Sequence, residues 1–313
     1  IKPTTRIYGI VGWPVTHSLS PLVHNAGFEA IGWNGVYVPL PIAANENAAA
    51  GVGGDEGDTS YISFKATMLE LIEHERLDLC GCSITLPHKE HAARCAIEHG
   101  WELDAAATAI GAANTLIIDR DASPAKRIRL INTDAPALAA CIEAQAGPLE
   151  AKRIAILGAG GVARAAAYAL ASRGGTIIIY NRTLDRAQRL AADLADKVSG
   201  KIVAATWDLL SKSCCDILIN CTPRGMKNSP DESAIAAPLA DMTACARDMI
   251  VMDTVYNPIQ TPLLQEATRL GFRTIDGVGM FARQAEMQFE AWTSLPAPPG
   301  LFEKLVREKF AAE

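Results

Sequence analysis

Hydrophobic residues in the second half of the chain form short continuous runs, separated by amphipathic or alanine-rich stretches. The runs are predicted as buried strands at residues 154–157, 176–180, 202–204, 216–220, 250–253 and 273–276. The stretches between them, such as residues 162–173 and 184–196, have the periodicity of helices. Parallel strands need crossover connections and are covered on both faces, so this half is predicted to be a doubly wound α/β domain.

The first half alternates in a similar way, but with less regular spacing. Strands are predicted at residues 7–11, 35–40, 79–86, 115–118 and 128–131, and helices at residues 21–31, 64–74 and 89–99. Residues 43–60 contain few large apolar side chains and are predicted as a surface loop. A helix from Gly277 to about Trp292 and a final helix follow the second half, and we expect this tail to return to the first half.

Composition narrows the classes of protein that fit this pattern. The chain has 313 residues, 49% of them hydrophobic, which suits two domains with proper cores and excludes a disordered chain. Its net charge of −6 provides no electrostatic reason to expect nucleic acid or an anionic membrane as a partner. The eight cysteines lack a C-x-x-C pair, which is typical of free thiols in a reducing compartment. We therefore expect a soluble, cytoplasmic protein, whose partner is either a small ligand or another protein.

Two pairs of residues invite a metal assignment. Cys80 and Cys82 alternate in an apolar run and are better explained as strand residues that face one side, and His88 and His91 have near-helical spacing, but no third ligand recommends itself and Lys89 between them would repel a cation. We predict no metal site.

A glycine-rich segment directly after the predicted strand at 154–157 carries the strongest local signal. Its residues are Gly158, Ala159, Gly160, Gly161, Val162 and Ala163, which fit the pattern G-x-G-x-x-A at the start of a helix. The first glycine allows a tight turn, the second lets the backbone approach a pyrophosphate, and the small sixth residue permits close packing of helix and strand. The sequence therefore predicts a dinucleotide site at a helix N-terminus.

The end of the next predicted strand indicates which dinucleotide binds. An NAD site usually has Asp or Glu there, whereas this chain has Asn181, Arg182 and Thr183, followed by Arg186. A guanidinium can bind a 2′-phosphate through charge-assisted hydrogen bonds, whereas a carboxylate would repel it. The alternative is that both arginines belong only to a solvated helix start. We predict NADP.

Two polar clusters in the first half also lie where a strand ends and a helix begins. Lys89 falls in the first turn of a helix after Thr85 and Pro87, with Pro87 suited to the first helical position. Asp134 follows Asn132-Thr133 and is predicted as an N-cap, which keeps its carboxylate ionised. Spacing alone does not separate a catalytic role from a lysine on a wet helix face and a simple cap.

Taken together, motifs along nearly the whole chain resemble those of the shikimate dehydrogenase family. They are His17-Ser18-Leu19-Ser20-Pro21, Ser83 to Glu90, Gly111 to Thr115, Asn132-Thr133-Asp134, Gly158 to Ala163, Asn181-Arg182-Thr183, and Asp276 to Met280 with Gln284. The tail looks most like the dehydrogenase half of the plant-type bifunctional dehydroquinate dehydratase–shikimate dehydrogenase.

The resemblance implies a two-domain α/β fold with a cleft between the domains. The substrate-binding catalytic domain would comprise residues 1–133 and 278–313, and the NADP-binding Rossmann domain residues 134–277.

The resemblance also implies roles for individual residues. Lys89 and Asp134 would be the catalytic pair, Ser18, Ser20 and Tyr256 would bind the substrate carboxylate, Thr85, Asn114 and Gln284 would bind ring hydroxyls, and Thr222, Gly277 and Met280 would contact the cofactor. Two departures are Ser83, where many relatives have Asn, and Arg224, which follows Pro223 in place of a serine-rich stretch.

The implied activity is the reversible, NADP-dependent reduction of 3-dehydroshikimate to shikimate on the route to aromatic amino acids. Quinate dehydrogenase is the alternative within enzymes, although Ser20 rather than a bulkier threonine favours shikimate. A non-catalytic dinucleotide or metabolite sensor is the alternative from another class, and it would be free to lose Lys89 or Asp134. Because the sequence begins at Ile1 without a methionine, an upstream dehydroquinate dehydratase in a longer polypeptide is a further hypothesis, with a plastid location if the source is a plant.

Overall fold

The computed structural model describes residues 1–43, 56–74, 76–123, 125–212, 214–227, 229–234, 236–243 and 248–312. Contacts within the chain divide it into two units. The first contains Ile1–Thr133 and Ala285–Val306, and the second contains Asp134–Gln284 and Arg307–Glu313. This division starts the returning segment at Ala285 rather than at residue 278, and the domain boundaries drawn from the sequence stay a prediction.

The first unit contains a mixed six-stranded sheet and the helices that pack on it. Its elements are β1 (Arg6–Gly12), α1 (Ser20–Ala30), β2 (Gly35–Pro41), α2 (Glu56–Glu73), β3 (Leu79–Ile84), α3 (Lys89–His99), β4 (Glu102–Leu103), α4 (Ala105–Ile110), β5 (Thr115–Asp119) and β6 (Arg127–Ile131). The strand order is β2-β1-β3-β5-β6-β4. β1, β2 and β3 are parallel, whereas β5 runs antiparallel to both β3 and β6.

The returning tail packs on this sheet. It consists of α10 (Gly277–Thr293), whose residues from Ala285 belong to the first unit, and α11 (Leu301–Ala311). Trp292 of α10 donates its indole N–H to the carbonyl oxygen of Leu116 in β5 at 2.9 Å. Its ring also occupies the space where a side chain at Gly81 would lie. Glycine in the middle of β3 therefore lets α10 approach the sheet closely.

The second unit is a parallel six-stranded sheet with interleaved helices. Its elements are α5 (Asp134–Ala146), β7 (Arg153–Leu157), α6 (Gly161–Ala171), β8 (Thr176–Asn181), α7 (Leu184–Leu194), β9 (Lys201–Thr206), β10 (Ile217–Asn220), α8 (Leu239–Met242), β11 (Ile250–Asp253), α9 (Pro262–Arg269) and β12 (Arg273–Ile275). The order β12-β11-β10-β7-β8-β9 is the doubly wound arrangement, with every strand pair parallel. The α/β prediction, including the doubly wound second half, is confirmed.

Several boundaries and elements differ from the sequence-based predictions. The predictions missed β4 and α4, because a two-residue strand and an alanine-rich six-residue helix carry almost no periodicity. α2 begins at Glu56 rather than at residue 64, and most of the loop predicted for residues 43–60 lies outside the described residues. The prediction that Pro87 opens a helix is wrong, since α3 begins at Lys89 with His88 as its N-cap.

Within the described part of the chain, no helix is both long and apolar enough to cross a membrane.

Candidate active site

Four strand ends of the first sheet meet at one edge, and four of the six predicted substrate-binding residues lie in segments attached there. Val11 pairs with Ile84, Ser83 with Thr115, and Thr115 with Ile131, so the ends of β1, β3 and β6 align with the start of β5. The segments attached at this edge carry the residues named from the sequence. They hold Ser18 and Ser20 after β1, Thr85 after β3, Asn114 before β5, and Thr133 after β6.

The two serines lie at the start of α1. Ser20 is its first residue and is buried, and its backbone N–H donates to Ser18 Oγ at 3.2 Å. Pro21 follows in the first turn, where its missing N–H leaves no intrahelical bond unmade. The local fold thus holds both hydroxyls beside a helix N-terminus, whose partial positive charge favours an anion such as a carboxylate.

Lys89 is held at the start of α3 by a short turn after β3. The Thr85 N–H donates to the Val11 carbonyl at 2.8 Å, and the Thr85 carbonyl accepts from the His88 N–H at 2.9 Å. The Lys89 side chain is half-buried, and its backbone carbonyl accepts from the Ala113 N–H at 2.9 Å. This hydrogen bond places the start of α3 next to the segment that carries Asn114.

Asn114 is buried and links this segment to the end of β6. Its Oδ1 accepts the Thr133 N–H at 2.8 Å, and its Nδ2 donates to Thr133 Oγ1 at 2.9 Å. Asp134 follows Thr133 directly, is also buried, and is the first residue of α5 rather than a cap preceding the helix. The Lys89 carbonyl is hydrogen-bonded to Ala113, and the neighbouring Asn114 side chain is hydrogen-bonded to Thr133. Because Thr133 precedes Asp134 in the chain, these bonds connect the backbone of Lys89 to Asp134.

In the second unit, the glycine-rich segment lies where the sequence placed it, between β7 and α6. Gly158 has φ +106°, and a Cβ there would come within 3.1 Å of the Cys221 carbonyl oxygen. Gly160 is the N-cap of α6, and a Cβ there would meet no atom within 4 Å. The first glycine is thus required by the turn, whereas the second faces open space where a phosphate can approach backbone N–H groups. Ala163 is fully buried, as close packing of helix and strand requires.

The residues predicted to select the dinucleotide follow β8, the strand next to β7. Asn181 ends β8 and donates its side-chain N–H to the Thr183 carbonyl at 2.8 Å, which shapes the turn into α7. Arg182 and Arg186 are exposed, and the guanidinium of neither has a hydrogen bond or ion pair to a residue that the structure describes. Two guanidinium groups beside the start of a helix fit a phosphate ligand, because an anion would offset their repulsion from the positive end of the helix dipole.

A polar cluster at the ends of β10 and β11 was missed by the sequence analysis. Asn220 Nδ2 donates to Asp253 Oδ1 at 2.9 Å, and Thr261 Oγ1 donates to Asp253 Oδ2 at 2.7 Å. Burial raises the pKa of Asp253 to about 6, although these hydrogen bonds oppose the rise. Asn220 Oδ1 also accepts the N–H and hydroxyl of Thr222, at 3.0 and 2.6 Å. The available signal was that two adjacent parallel strands, ILIN and IVMD, both end on a polar residue.

The same cluster positions the segment that carries Tyr256. Asp253 Oδ1 accepts the Val255 N–H at 3.0 Å, and the Tyr256 ring packs on Phe281 of α10 with 4.9 Å between ring centroids. Burial raises the pKa of Tyr256, so its hydroxyl stays protonated and can donate to an anion.

The start of α10 contains the remaining predicted site residues. A Cβ at Gly277 would lie 2.6 Å from the Val255 carbonyl, so only glycine allows this approach. Met280 is buried, and Gln284 is half-buried and donates to the Phe281 carbonyl at 3.0 Å. Gly277, Met280 and Gln284 therefore lie on the helix that follows the Tyr256 segment.

The pair His88 and His91 forms hydrogen bonds within the fold. His88 Nε2 lies 2.8 Å from the Ile42 carbonyl, and its Nδ1 lies 3.1 Å from His91 Nδ1. Burial lowers the pKa of both rings. Across the described ranges, no three His, Cys, Asp or Glu residues come together in a group suited to a metal ion.

Arg224 lies directly after the Asn220–Thr222 cluster, since its carbonyl accepts from Asn220 Nδ2 and its N–H donates to Thr222 Oγ1, both at 3.3 Å. Its guanidinium lies 5.8 Å from the Trp207 ring centroid and 3.8 Å from Asp231 Oδ2. Both Arg224 and Trp207 line a cavity of about 540 Å³ that also includes Leu239 and Glu266. The structure thus places the Arg224 guanidinium near an aromatic ring and a carboxylate of the same unit.

The second unit is doubly wound and has a glycine-rich turn, and the first unit carries lysine, asparagine and serine where its strands end. Together these features define a dinucleotide-dependent oxidoreductase. Two family models match the chain. The substrate binding domain of shikimate dehydrogenase matches residues 10–116, and shikimate / quinate 5-dehydrogenase matches residues 140–226. The chain belongs to the shikimate dehydrogenase family, which confirms the resemblance inferred from its motifs.

Relatives of known function cover almost the whole chain. The shikimate dehydrogenase (NADP(+)) of Methanocella arvoryzae is 36% identical over 304 residues, which are 96% of this chain and 98% of that protein. The bifunctional 3-dehydroquinate dehydratase/shikimate dehydrogenase of Arabidopsis thaliana is 35% identical, over 96% of this chain and 46% of that enzyme. A crystal structure of shikimate dehydrogenase in complex with NADP+ superposes with a TM-score of 0.79 at 32% identity, covering 99% of this chain and 97% of that one.

Proposed function

We propose that the chain catalyses the reversible, NADP-dependent reduction of 3-dehydroshikimate to shikimate. The observation that carries the proposal is the connection of Lys89, Asn114, Thr133 and Asp134 at one sheet edge, through the Lys89–Ala113 and Asn114–Thr133 hydrogen bonds. The relatives' names support the choice of substrate and cofactor.

The proton chemistry is assigned to Lys89 and Asp134. Bound NADPH supplies a hydride to the substrate carbonyl carbon, so the carbonyl oxygen must gain one proton to become the hydroxyl. The Lys89 ammonium is a donor suited to the negative charge that develops on this oxygen. Asp134, buried at the first turn of α5, holds a carboxylate that can accept the proton in the reverse direction.

The other predicted residues bind and orient the substrate. Ser18 and Ser20 present hydroxyls beside the α1 N-terminus. These hydroxyls donate hydrogen bonds to the substrate carboxylate, together with the protonated Tyr256 hydroxyl. Thr85, Asn114 and Gln284 combine donors and acceptors, which suits the hydroxyls of a polyol ring.

The second unit is assigned to the dinucleotide. Gly158, Gly160 and the α6 N-terminus fit the pyrophosphate, and Arg182 with Arg186 fits the 2′-phosphate that distinguishes NADP from NAD. Thr222, held by Asn220, and Gly277 with Met280 complete the set of residues assigned to the cofactor.

The decisive test replaces Lys89 by alanine. We expect kcat for 3-dehydroshikimate to fall by roughly two to four orders of magnitude, the usual contribution of acid–base catalysis, with little change in NADPH affinity measured by fluorescence titration. Lys65→Ala is the matched control, because the Lys65 ammonium pairs with Glu98 at 2.7 Å, away from the sheet edge. Normal turnover by the Lys89 variant would contradict the assignment.

Quinate is the second candidate substrate, because the family model that matches residues 140–226 covers shikimate and quinate enzymes. Quinate has an extra hydroxyl beside its carboxylate, and we expect kcat/KM to be higher for shikimate. Initial rates with both substrates and with NADP+ or NAD+ decide between the two. If the wild-type protein binds NADPH but turns over none of the substrates offered, the sensor alternative replaces the enzyme.

Two expectations from the sequence stay predictions. A location in a reducing compartment, the cytoplasm, is supported by the free state of the described cysteines and is tested by cell fractionation. An upstream dehydroquinate dehydratase is tested by reading the coding sequence that precedes Ile1, where an in-frame dehydratase would support it.

A further inference from the structure

A buried chain of hydrogen bonds connects α10 to the edge that carries Asn114. Tyr37 Oη donates to Ser83 Oγ at 2.7 Å, and Ser83 Oγ donates to Gln288 Oε1 at 2.6 Å. Gln288 Nε2 then donates to Thr115 Oγ1 at 3.0 Å, and Thr115 Oγ1 donates to Asn114 Oδ1 at 2.9 Å. We call Tyr37, Ser83, Gln288 and Thr115 the Gln288 relay. Each of the four is at most 6% exposed.

The direction of every bond in the relay is fixed by groups that can act in only one way. Gln288 Nε2 also donates to the Asn114 carbonyl at 3.0 Å, which can only accept, so the amide nitrogen of Gln288 must face Asn114. Its oxygen then faces Ser83, which must donate to it, and Tyr37 must donate to Ser83. At the other end, Thr115 accepts from Gln288 and is left to donate to Asn114.

The relay supports the orientation of the Asn114 carboxamide, which the Thr133 backbone N–H also favours. Asn114 Oδ1 accepts from both the Thr115 hydroxyl and the Thr133 backbone N–H, so its Nδ2 points to Thr133 Oγ1. This orientation fixes the peptide that precedes Asp134. Gln288 itself is 1% exposed, so it acts through Asn114 and Thr133.

We propose that Gln288 is a positioning residue, which holds Asn114 and the Thr133–Asp134 segment in the orientation that the reaction needs. The proposal rests on the proposed function, since it assigns Asn114 to the substrate and Asp134 to proton transfer. Removing one partner from a fully buried network leaves the other groups unsatisfied, and such groups reorient or admit water. The family resemblance implied no role for Gln288 and marked Ser83 only as a departure, whereas Ser83 Oγ lies between Tyr37 and Gln288.

The main variant for testing this role is Gln288→Glu, which keeps the shape and the oxygen that accepts from Ser83. When protonated, its carboxyl can still donate towards Asn114 or Thr115, but when ionised it only accepts and repels the Asn114 carbonyl. Burial raises the pKa of such a carboxyl, so the two forms interconvert within an accessible pH range. We expect kcat/KM of this variant to fall about 10- to 100-fold relative to the wild type as pH rises through that pKa.

Gln288→Leu removes the relay at every pH. We expect kcat/KM for 3-dehydroshikimate to fall about 10- to 100-fold at all pH values, with unchanged NADPH affinity. Thr293→Val is the matched control on the same helix, because the buried Thr293 hydroxyl donates to the Phe289 carbonyl at 2.8 Å and takes no part in the relay. A similar loss of thermal stability in both variants, with loss of activity only in Gln288→Leu, supports the proposal.

The outcomes separate this proposal from the proposed function. Suppose that the wild-type protein reduces 3-dehydroshikimate and that both Gln288 variants keep kcat/KM within about twofold of the wild-type value. The positioning role is then overturned and the function stands, because a factor of about two is well under the cost of an unmade buried hydrogen bond. A wild-type protein without this activity overturns the function itself. If Gln288→Leu fails to fold, the Gln288→Glu pH profile decides, because a profile parallel to that of the wild type refutes the relay.

Discussion

Lowering the pH is expected to destabilise the first unit through His24, a residue of α1. Its ring is fully buried among aromatic side chains, with centroid distances of 4.6 Å to Tyr37, 5.0 Å to Trp292 and 5.6 Å to Phe302. Burial lowers the pKa of His24 from 6.5 to about 3. The folded unit therefore resists taking up a proton that the unfolded chain accepts readily.

The sign and size of the effect follow from proton linkage. Above the unfolded-state pKa both states hold a neutral ring, so the free energy of unfolding is unaffected by His24. Below it the unfolded chain binds a proton that the folded state excludes, so stability falls until the pH reaches the folded-state pKa. Between about pH 7.5 and about pH 4.5 the contribution is a loss of about 3 kcal/mol.

Urea denaturation followed by tryptophan fluorescence measures this loss, because Trp292 contacts the ring. We expect the difference in unfolding free energy between the wild type and His24→Leu to change by about 3 kcal/mol over that pH range in favour of the variant. The control His74→Leu removes an exposed histidine of the same unit. Parallel curves for the wild type and His24→Leu would refute the reasoning, as would an NMR titration in which the His24 ring protonates near pH 6.5.

Three further predictions concern single contacts. Gly81→Ala would place a Cβ against the Trp292 indole, and we expect about 1–3 kcal/mol lower stability in thermal unfolding, whereas an unchanged Tm would contradict that packing. Asp104→Ala removes the acceptor of the Ala107 N–H at 2.6 Å at the start of α4, so urea unfolding should show a loss of about 1 kcal/mol that Asp104→Asn largely restores. Arg182→Ala should weaken NADP+ binding about 10- to 100-fold in calorimetry and leave NAD+ binding unchanged, and an equal loss for both would refute its role at the 2′-phosphate.

Local patterns predicted the elements that carry the residues proposed to bind the cofactor. The glycine-rich segment follows a continuous apolar run and opens a helix, and the structure has β7, a turn with Gly158 at positive φ, and α6 in that order. All six strands of the second unit were predicted to within a few residues. β7, β10 and β11 are almost fully buried and read as uninterrupted apolar runs, whereas the edge strands β9 and β12 are only partly buried. The helix predicted at residues 89–99 has the bounds of α3, although Pro87 does not open it.

Short elements and polar contacts could not be predicted in the same way. β4 and α4 are too short to show periodicity, and α4 is defined instead by its caps, Asp104 and Gly111. Asn220 and Asp253 were visible as polar strand ends, but only the parallel pairing of β10 with β11 brings them together. Their role in holding Thr222 and the Tyr256 segment depends on that pairing.

The sequence by itself determined the α/β class, the dinucleotide turn and the family, because these depend on local periodicity and on motifs that are continuous in the chain. Only the tertiary structure decided that Ser83 bonds to Gln288, 205 positions away, and that His24 is enclosed by aromatic rings. A side chain's hydrogen-bond partners and its solvation are set by elements distant in sequence, so the neighbouring residues in the chain do not predict them. The hydrogen bonds of Gln288 therefore depend on the packing of α10 on the first sheet.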